Sequence, residues 1–250
     1  MKIHEKILMD RQGLEKYGPI TIVAFGDSVT HGAVGPGEID YESVYWNRLR
    51  RKIISVRNYV PVNVINAGIG GTTAALSVER TEKQVLVHNP DLVIVCFGLN
   101  DVCGNLTDYT SALKQIFRKC NESGTATVFM TPNMLNTYVA EDTEPLYREY
   151  AKLTADIQNS GKMDKFMLSA CRLAEEMDVS VCDCYTEWKK ISETEDTTLL
   201  LANRINHPVR EMHSLFADRL FETVFGNTQF TSKESDSTMH FNLKKEEKYD

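Results

Sequence analysis

The sequence has no hydrophobic run long enough to cross a membrane, and its opening residues, MKIHEKILMDRQG, carry no apolar stretch behind the basic ones. The longest apolar runs, ITIVAF and LVIVCF, fall far short of the roughly 20 residues that a membrane-spanning helix needs. A secretory signal would also require an apolar segment after its basic residues. We therefore expect a cytoplasmic protein without integral membrane association.

The chain also lacks an excess of basic residues. Its 28 lysines and arginines are outnumbered by 35 acidic residues, which gives a net charge of -7. Such a surface repels polyanions, so we expect no nucleic-acid partner. Hydrophobic residues make up 42% of the 250 positions and charged residues 25%, which is usual for a folded globular domain.

The cysteines do not have the paired spacing of a zinc site. They are Cys96, Cys103, Cys120, Cys171, Cys182 and Cys184. Cys182 and Cys184 lie in the strand-like run VSVCDCY, and no second cysteine pair or histidine pair stands at zinc-ligand spacing. We expect reduced thiols, no disulfide framework and no metal site.

Short β-branched runs alternate with helical patterns along the chain. The expected strands are residues 20–25, 62–66, 91–97, 125–130 and 179–184. These runs are nearly continuous in apolar character, as in sheets whose two faces are both covered by helices. Alternation of strands with helices is typical of a parallel sheet. The sequence predicts a three-layer α/β/α sandwich with a mainly parallel, flavodoxin-like five-stranded sheet.

We divide the chain into a domain over residues 1–226 and a charged C-terminal tail over residues 227–250. The final helix of the domain is predicted to begin at Pro208, since proline suits the first helical position, and to end at Gly226. In the tail, apolar residues alternate only over residues 239–243. We expect a flexible tail, with an added edge strand as the alternative.

Two further helical patterns, separated by Gly161, occupy residues 146–177. Apolar residues recur at helical spacing through both patterns. Crossover helices that pack on the sheet are the preferred interpretation, and a lid or one wall of a substrate pocket is the alternative.

Three polar, glycine-containing segments follow the first three predicted strands: FGDSVTHG, NAGIGGTT and FGLNDVCG. The carboxyl ends of parallel strands form the usual ligand crevice, so these segments can converge. Acyl transfer needs a nucleophilic hydroxyl, a base and donors aimed at the developing oxyanion. Ser28 supplies a hydroxyl. The backbone N–H of Ser28, the Gly71 loop and the Asn100 side chain can form an oxyanion hole.

The base must come from one of six histidines. His207 is favoured, because it lies after the last predicted strand and next to the predicted final helix. His31, three residues after Ser28, is the alternative base. We expect His213, on the final helix, to be structural or solvent-facing. The other positions, in terminal segments or away from a strand end, are His4, His88 and His240.

The blocks FGDSVTHG, NAGIGG, GLND and HP, in that order, resemble the blocks of the SGNH, or GDSL, hydrolase superfamily. The resemblance covers residues 20–225. It implies that Ser28 is the nucleophile and His207 its base. It also implies that Gly71 and Asn100 complete an oxyanion hole with the Ser28 N–H, and that no cofactor is required.

Other positions in these blocks either support the site or depart from the family pattern. Asp27 and Asp101 match motif positions, and we expect them to order loops as hydrogen-bond acceptors. The family usually has D-x-x-H at the histidine, but Arg204 occupies the aspartate position here. A cation cannot orient the imidazole or stabilise the imidazolium, so either Arg204 points away or the site is altered. Asn203, Asn206, a backbone carbonyl or a distant carboxylate can serve instead, and neutral groups alone leave a Ser-His dyad.

The expected activity is hydrolysis of a small-molecule ester, with a short-chain acyl or acetyl group favoured, through an acyl-enzyme. The resemblance allows an acylated carbohydrate, a lysolipid or a thioester as substrate. One alternative is a catalytically decayed module that binds an anionic or acylated ligand. Another is a flavodoxin-like cofactor binder, since doubly wound sheets bind FMN at the same edge. The sequence makes no prediction of oligomeric state.

Overall fold

The computed structural model describes residues 3–226. A five-stranded sheet lies at its centre. The strands are β1 (Ile20–Gly26), β2 (Val62–Asn66), β3 (Leu92–Cys96), β4 (Ala126–Met130) and β5 (Ser180–Cys182). All neighbours pair in parallel, in the order β2-β1-β3-β4-β5. This is the flavodoxin-like order, so the predicted fold class is confirmed.

Helices form the two outer layers of the sandwich. Within residues 3–226 the α-helices are α1 (Ile3–Lys6), α2 (Arg11–Tyr17), α3 (Ser28–His31), α4 (Tyr45–Val56), α5 (Ala74–Ser77), α6 (Leu106–Glu122), α7 (Arg148–Asn159), α8 (Lys162–Glu176), α9 (Cys184–Ile191) and α10 (His213–Phe225). Shorter 3₁₀ turns cover Leu86–His88, Asp101–Cys103, Pro145–Tyr147 and Arg210–Met212, and a π-helical turn covers Thr81–Val85. In one layer α4 packs against α10, and in the other α6 packs against α5 and α8.

The central strands are buried on both faces, which explains their continuous apolar runs. Residues 22–25 of β1 have no exposed surface, and β3 is buried along its whole length. The helix α4 covers the sheet with Tyr45, Leu49 and Ile53, which recur every four residues and are buried. This burial fixes the carboxyl ends of β1 and β3, from which the polar loops of the candidate site emerge.

The last helix begins at His213, so the predicted start at Pro208 is wrong. Pro208 instead forms an antiparallel bridge with Leu201. The Val209 N–H donates a hydrogen bond of 2.9 Å to the carbonyl of Leu200, so the residue after Pro208 also bonds to this segment. Proline suits an extended edge as well as a first helical turn, and the long-range pairing decides between the two.

The tail over residues 227–250, with its alternative edge strand, lies outside the described residues, and the domain boundary stays a prediction. No helix within residues 3–226 is long and apolar enough to cross a membrane. The six cysteines are free, with the buried sulfurs of Cys182 and Cys184 3.6 Å apart. Residues 3–226 contain no group of three or more metal-ligating side chains.

Candidate active site

Ser28 is held at the end of the interior strand β1 by a tight turn. The Oδ1 atom of Asp27 accepts a hydrogen bond of 3.0 Å from the Val29 N–H and caps the short helix that Ser28 begins. Gly26 has no room for a side chain, because an added Cβ would overlap the side chain of Thr30. The turn therefore fixes Ser28 through backbone geometry and one carboxylate.

His207 contacts Ser28 directly. Its Nε2 atom lies 2.9 Å from the Ser28 Oγ atom, and its Nδ1 atom lies 3.2 Å from the carbonyl oxygen of Val34. A carbonyl only accepts, so Nδ1 carries the hydrogen and Nε2 is free to accept the Ser28 proton. Burial lowers the pKa of His207, and the hydrogen bond to Val34 offsets part of that effect. The two side chains form a dyad whose orienting group is a backbone carbonyl.

Arg204 points away from this dyad. Its guanidinium forms an ion pair with Asp142, with Nη2 2.9 Å from Oδ2, and also donates to the carbonyls of Leu199 and Leu201. The φ angle of Arg204 is 58°, in the left-handed region, where a non-glycine residue is uncommon. The sequence left two alternatives, that Arg204 points away or that the site is altered. The structure agrees with the first, because the side chain at position 204 does not face the imidazole.

Neither candidate asparagine bonds to the imidazole ring. The Oδ1 atom of Asn203 accepts from three successive backbone N–H groups, those of Ile205, Asn206 and His207, at 2.9 to 3.1 Å. The Asn203 Nδ2 group donates to the Asn206 side-chain oxygen at 2.9 Å. Asn203 thus shapes the turn that carries the histidine, and neither asparagine orients the ring directly.

Two hydrogen bonds fasten the Gly71 loop to the loop after β3. The Nδ2 group of Asn100 donates to the Thr72 carbonyl at 3.0 Å, and the Oδ1 atom of Asp101 accepts from the Ala74 N–H at 2.8 Å. Gly71 adopts a φ of 75°, which favours glycine. The predicted oxyanion groups on these two loops therefore lie side by side.

A cavity of about 500 Å³ lies over the dyad and is lined by Ser28, Gly71, Asn100 and His207. Within residues 3–226, the backbone N–H groups of Ser28 and Gly71 have no hydrogen-bond acceptor, so each can donate to a ligand. Asn100 uses one of its two amide hydrogens for Thr72 and retains the other. Further walls are formed by His31, Pro36, Ile39, Tyr147, Tyr150 and Ile205.

The other histidines near the site do not contact Ser28. The Nε2 atom of His31 faces the Tyr41 hydroxyl at 3.4 Å. His213 is buried rather than solvent-facing, and its Nδ1 atom accepts from the Tyr45 N–H at 3.2 Å. Burial lowers the pKa of His213 to about 3, so this ring is a neutral structural acceptor. Of the three, the structure places only His207 within hydrogen-bond reach of the nucleophile.

Asp27 and Asp101 lie beneath the site and do not touch the imidazole. In each carboxyl group one oxygen accepts a backbone N–H, whereas the other is buried without a partner among the described residues. Burial raises the pKa of Asp27 to about 7 and that of Asp101 to about 6. Both carboxyl groups therefore accept hydrogen bonds that order the loops of the site.

The sequence left a backbone carbonyl open as the orienting group but did not indicate that of Val34, and it did not single out Tyr147 and Tyr150 on the cavity wall. Every residue has a carbonyl, so no residue type marks Val34 for this role. Tyr150 belongs to a helical pattern that predicts packing, and α8 does pack against β5 and α6, whereas α7 packs against α8. The first turn of α7, however, forms the pocket wall that was the alternative for this segment.

A family model described as the GDSL-like Lipase/Acylhydrolase family matches residues 24–215. The chain belongs to this family. The superfamily predicted from the four sequence blocks is thereby confirmed. So is the enzyme class, a GDSL-type esterase or acylhydrolase.

Individual relatives are more distant. The chain is 30% identical over 113 residues to the uncharacterized lipoprotein YqeF of Bacillus subtilis (strain 168), and the match covers 45% of each protein, less than half of the relative's length. An acetylxylan esterase, Axe2, from Geobacillus stearothermophilus has a TM-score of 0.65 at 19% identity, over 86% of this chain and 97% of that one. A putative GDSL-like lipase from Parabacteroides merdae ATCC 43184 reaches 0.67 at 19% identity, over 82% and 95%. These two likenesses show a shared fold.

Proposed function

We propose that the protein hydrolyses a small-molecule ester through a covalent acyl-enzyme on Ser28, with His207 as general base. The observation that carries this proposal is the 2.9 Å contact between the Ser28 Oγ and His207 Nε2 atoms on the floor of an open cavity. A nucleophile and base at this distance meet the geometric requirement for activation of a serine.

The first half of the reaction forms the acyl-enzyme. His207 Nε2 accepts the hydroxyl proton while Ser28 Oγ forms a bond to the carbonyl carbon, and the π electron pair moves onto the carbonyl oxygen. The N–H groups of Ser28 and Gly71 and the free amide hydrogen of Asn100 stabilise that oxyanion. The intermediate then collapses, the C–O bond to the alcohol breaks, and His207 returns its proton to the leaving group.

Water completes the cycle. His207 removes a proton from water as it attacks the acyl carbon, and the collapse of the second intermediate restores the Ser28 hydroxyl and releases the acid. In both halves the Val34 carbonyl accepts the Nδ1 hydrogen and keeps the ring oriented. A neutral carbonyl stabilises the imidazolium less than an aspartate would, so we expect a base of lowered pKa.

For the substrate we propose a short acyl group, with acetylated carbohydrates as the first class to test and lysolipids as the second. Support comes from the similarity in fold to an acetylxylan esterase and from two tyrosines, Tyr147 and Tyr150, on the cavity wall. Aromatic side chains with a polar tip suit ligands that have both apolar faces and hydroxyl groups.

Covalent labelling tests the proposal. A fluorophosphonate should add to wild-type protein once per chain, as read by intact-mass spectrometry, and should fail to add to Ser28→Ala. Ser55→Ala is the matched control, because Ser55 is an exposed serine of α4 whose hydroxyl bonds to the Lys52 carbonyl. Nitrophenyl acetate, butyrate and octanoate then rank the acyl length. Absence of labelling under conditions that label a known serine esterase would favour the binding module of an anionic or acylated ligand.

A further inference from the structure

The Val34 carbonyl belongs to a short loop, residues 33–40, which we call the orienting loop. The loop folds on itself: the Val34 N–H donates to the Glu38 carbonyl at 3.0 Å, and the Glu38 N–H donates to the Gly35 carbonyl at 3.1 Å. An antiparallel bridge joins Ala33 to Ile39. Its internal bonds give the loop a defined shape, but they do not by themselves hold it against the segment that carries His207.

Arg210 supplies contacts between these two parts of the chain. It lies three residues after His207. Its Nε atom donates to Asp40 Oδ2 at 2.7 Å, and its Nη2 atom donates to Glu38 Oε1. On the other side, Arg48 of α4 donates to the Arg210 carbonyl at 3.1 Å and anchors the backbone of the arginine. Arg210 thus joins the histidine segment to both acidic side chains of the orienting loop.

Few other polar contacts connect the two parts. Among the hydrogen bonds and ion pairs of residues 3–226, the orienting loop and residues 203–212 share the bond from His207 to Val34 and the bonds from Arg210. The Ser43 N–H and then the Arg210 guanidinium lower the pKa of Asp40 to about 2. The pairing with Arg210 therefore keeps its charges at any pH at which the dyad can work.

We propose that Arg210 is a positioning residue: through Glu38 and Asp40 it holds the orienting loop so that the Val34 carbonyl stays bonded to the Nδ1 hydrogen of His207. This inference rests on the proposed function of the Ser28–His207 pair. In the D-x-x-H pattern the orienting carboxylate and the histidine share one short segment. Here the acceptor is on another loop, so the orientation of the ring depends on the contact between two separate segments.

The test compares Arg210→Met with Arg219→Met. The side chains of the two arginines are similarly exposed, 41% and 43%, and each pairs with two acidic side chains, but Arg219 lies on α10 and binds Glu187 and Glu222. Loss of loop position should lower kcat for a short-chain ester by on the order of 10-fold or more in Arg210→Met. KM should change by less than about threefold, and Arg219→Met should match wild type in both constants. Arg210→Lys, which can keep one of the two pairings, should recover part of the loss.

A second readout does not depend on turnover. Nitrogen-15 NMR of the histidine side chains, with His207 assigned by comparison with His207→Gln, reports which ring nitrogen carries the hydrogen. Wild type should show His207 protonated at Nδ1, whereas Arg210→Met should show a mixture of both tautomers. Arg219→Met should keep the wild-type spectrum of His207.

The outcomes separate the inference from the proposed function. Wild-type kcat together with an unchanged His207 tautomer in Arg210→Met would overturn the inference. Absence of Ser28-dependent activity in wild type would overturn the proposed function, while the NMR comparison would still decide the role of Arg210.

If Arg210→Met does not fold, Asp40→Asn takes its place. That variant keeps the Oδ1 acceptor of the Glu42 and Ser43 N–H groups and removes the charge that faces Arg210. It should lower kcat and disturb the tautomer in the same direction, and a wild-type kcat and tautomer in Asp40→Asn would also overturn the inference. If Arg210→Met and Asp40→Asn both fold, the variant with both substitutions should have a kcat no lower than that of Arg210→Met.

Discussion

Ser28 follows β1, an interior strand of a buried parallel sheet, whereas His207 lies in a segment, residues 203–212, that has only the isolated bridge at Pro208 before the turn at Arg210–Met212. On the serine side, the tight turn and the backbone pairing of β1 set the position of the nucleophile. On the histidine side, isolated backbone bonds, such as that from the Ala202 N–H to the His207 carbonyl at 2.7 Å, are supplemented by side chains. Asn203 accepts from three backbone N–H groups, and Asn133 donates to the Asn206 carbonyl at 2.9 Å.

This difference indicates which part of the site is most sensitive to substitution. The position of the nucleophile follows from many backbone bonds, and no single side-chain bond carries it alone. The position of the base depends on a few isolated backbone bonds and on side-chain bonds, some within the turn and some to segments distant in sequence. Some residues contact neither the substrate nor Ser28 but support one of the two side chains. We expect substitution of those that support His207 to lower kcat more often than substitution of those that support Ser28.

Removal of the base should have the largest effect. We expect His207→Ala to lower kcat by about 10⁴- to 10⁶-fold, and the double variant with Ser28→Ala to be no slower, because the two residues act as a unit. His88→Ala, which removes an exposed histidine outside the cavity, is the matched control and should stay within a few-fold of wild type. Near-wild-type turnover of His207→Ala would instead make His31 the candidate base.

The proposed oxyanion hole belongs to the serine side and would contact the reacting atoms, so its loss should come next. Asn100→Ala should lower kcat by about 10²- to 10³-fold with a smaller change in KM, because its donor matters most as charge develops on the carbonyl oxygen. Asn121→Ala, which removes an exposed amide that donates to the Met177 carbonyl, is the control. A raised KM with unchanged kcat would place Asn100 in ground-state binding.

Asn203 sharpens the comparison, because it supports the histidine without contacting its ring. Asn203→Ala leaves three backbone N–H groups without their acceptor and should lower the free energy of unfolding by roughly 1 to 3 kcal/mol. It should also lower kcat by about 10-fold through misplacement of His207. Asn105→Ala removes the cap of α6 and should lower stability by about 1 kcal/mol with kcat unchanged. Equal kcat in the two variants would argue against the proposed vulnerability of the histidine side.

Arg204→Asp should have the smallest effect, although it restores the D-x-x-H pattern. The side chain at position 204 is directed toward Asp142 by a left-handed backbone, so a carboxylate there should not reach His207. We expect kcat/KM within about twofold of wild type, and loss of the ion pair between the half-buried Arg204 and the exposed Asp142 should cost about 1 kcal/mol. An upward shift of the pKa of His207, followed by NMR, would show that position 204 does reach the ring.

The sheet and the serine side could be predicted from the sequence because their signals are local. The run DLVIVCF predicts a buried strand, and β3 covers Leu92–Cys96 within it. Once the strands are placed, parallel topology brings Ser28, Gly71 and Asn100 to one edge, as the cavity lining shows.

The histidine side could not be predicted to the same depth, because its determinants are long-range. Pro208 is compatible with a helix start until Leu201 pairs with it across the intervening turn. The left-handed backbone of Arg204 has no signal in the residue type. Val34 acts through a carbonyl that any residue in its place would also have.

The pH dependence of kcat/KM for Ser28-dependent ester hydrolysis tests most directly whether His207 is a base oriented by a carbonyl alone. A base must be unprotonated, so activity should be full above the pKa of His207 and lost as the pH falls through it. Burial lowers that pKa, the Val34 carbonyl offsets only part of the effect, and no carboxylate of residues 3–226 bonds to the ring, so the inflection should lie below the usual value of about 6.5. An NMR titration of the imidazole is needed to assign the inflection, because the pKa values of Asp27 and Asp101, about 7 and about 6, lie in the same pH range. An inflection assigned to His207 clearly above about 6.5 would contradict the dyad, since it would require a carboxylate partner.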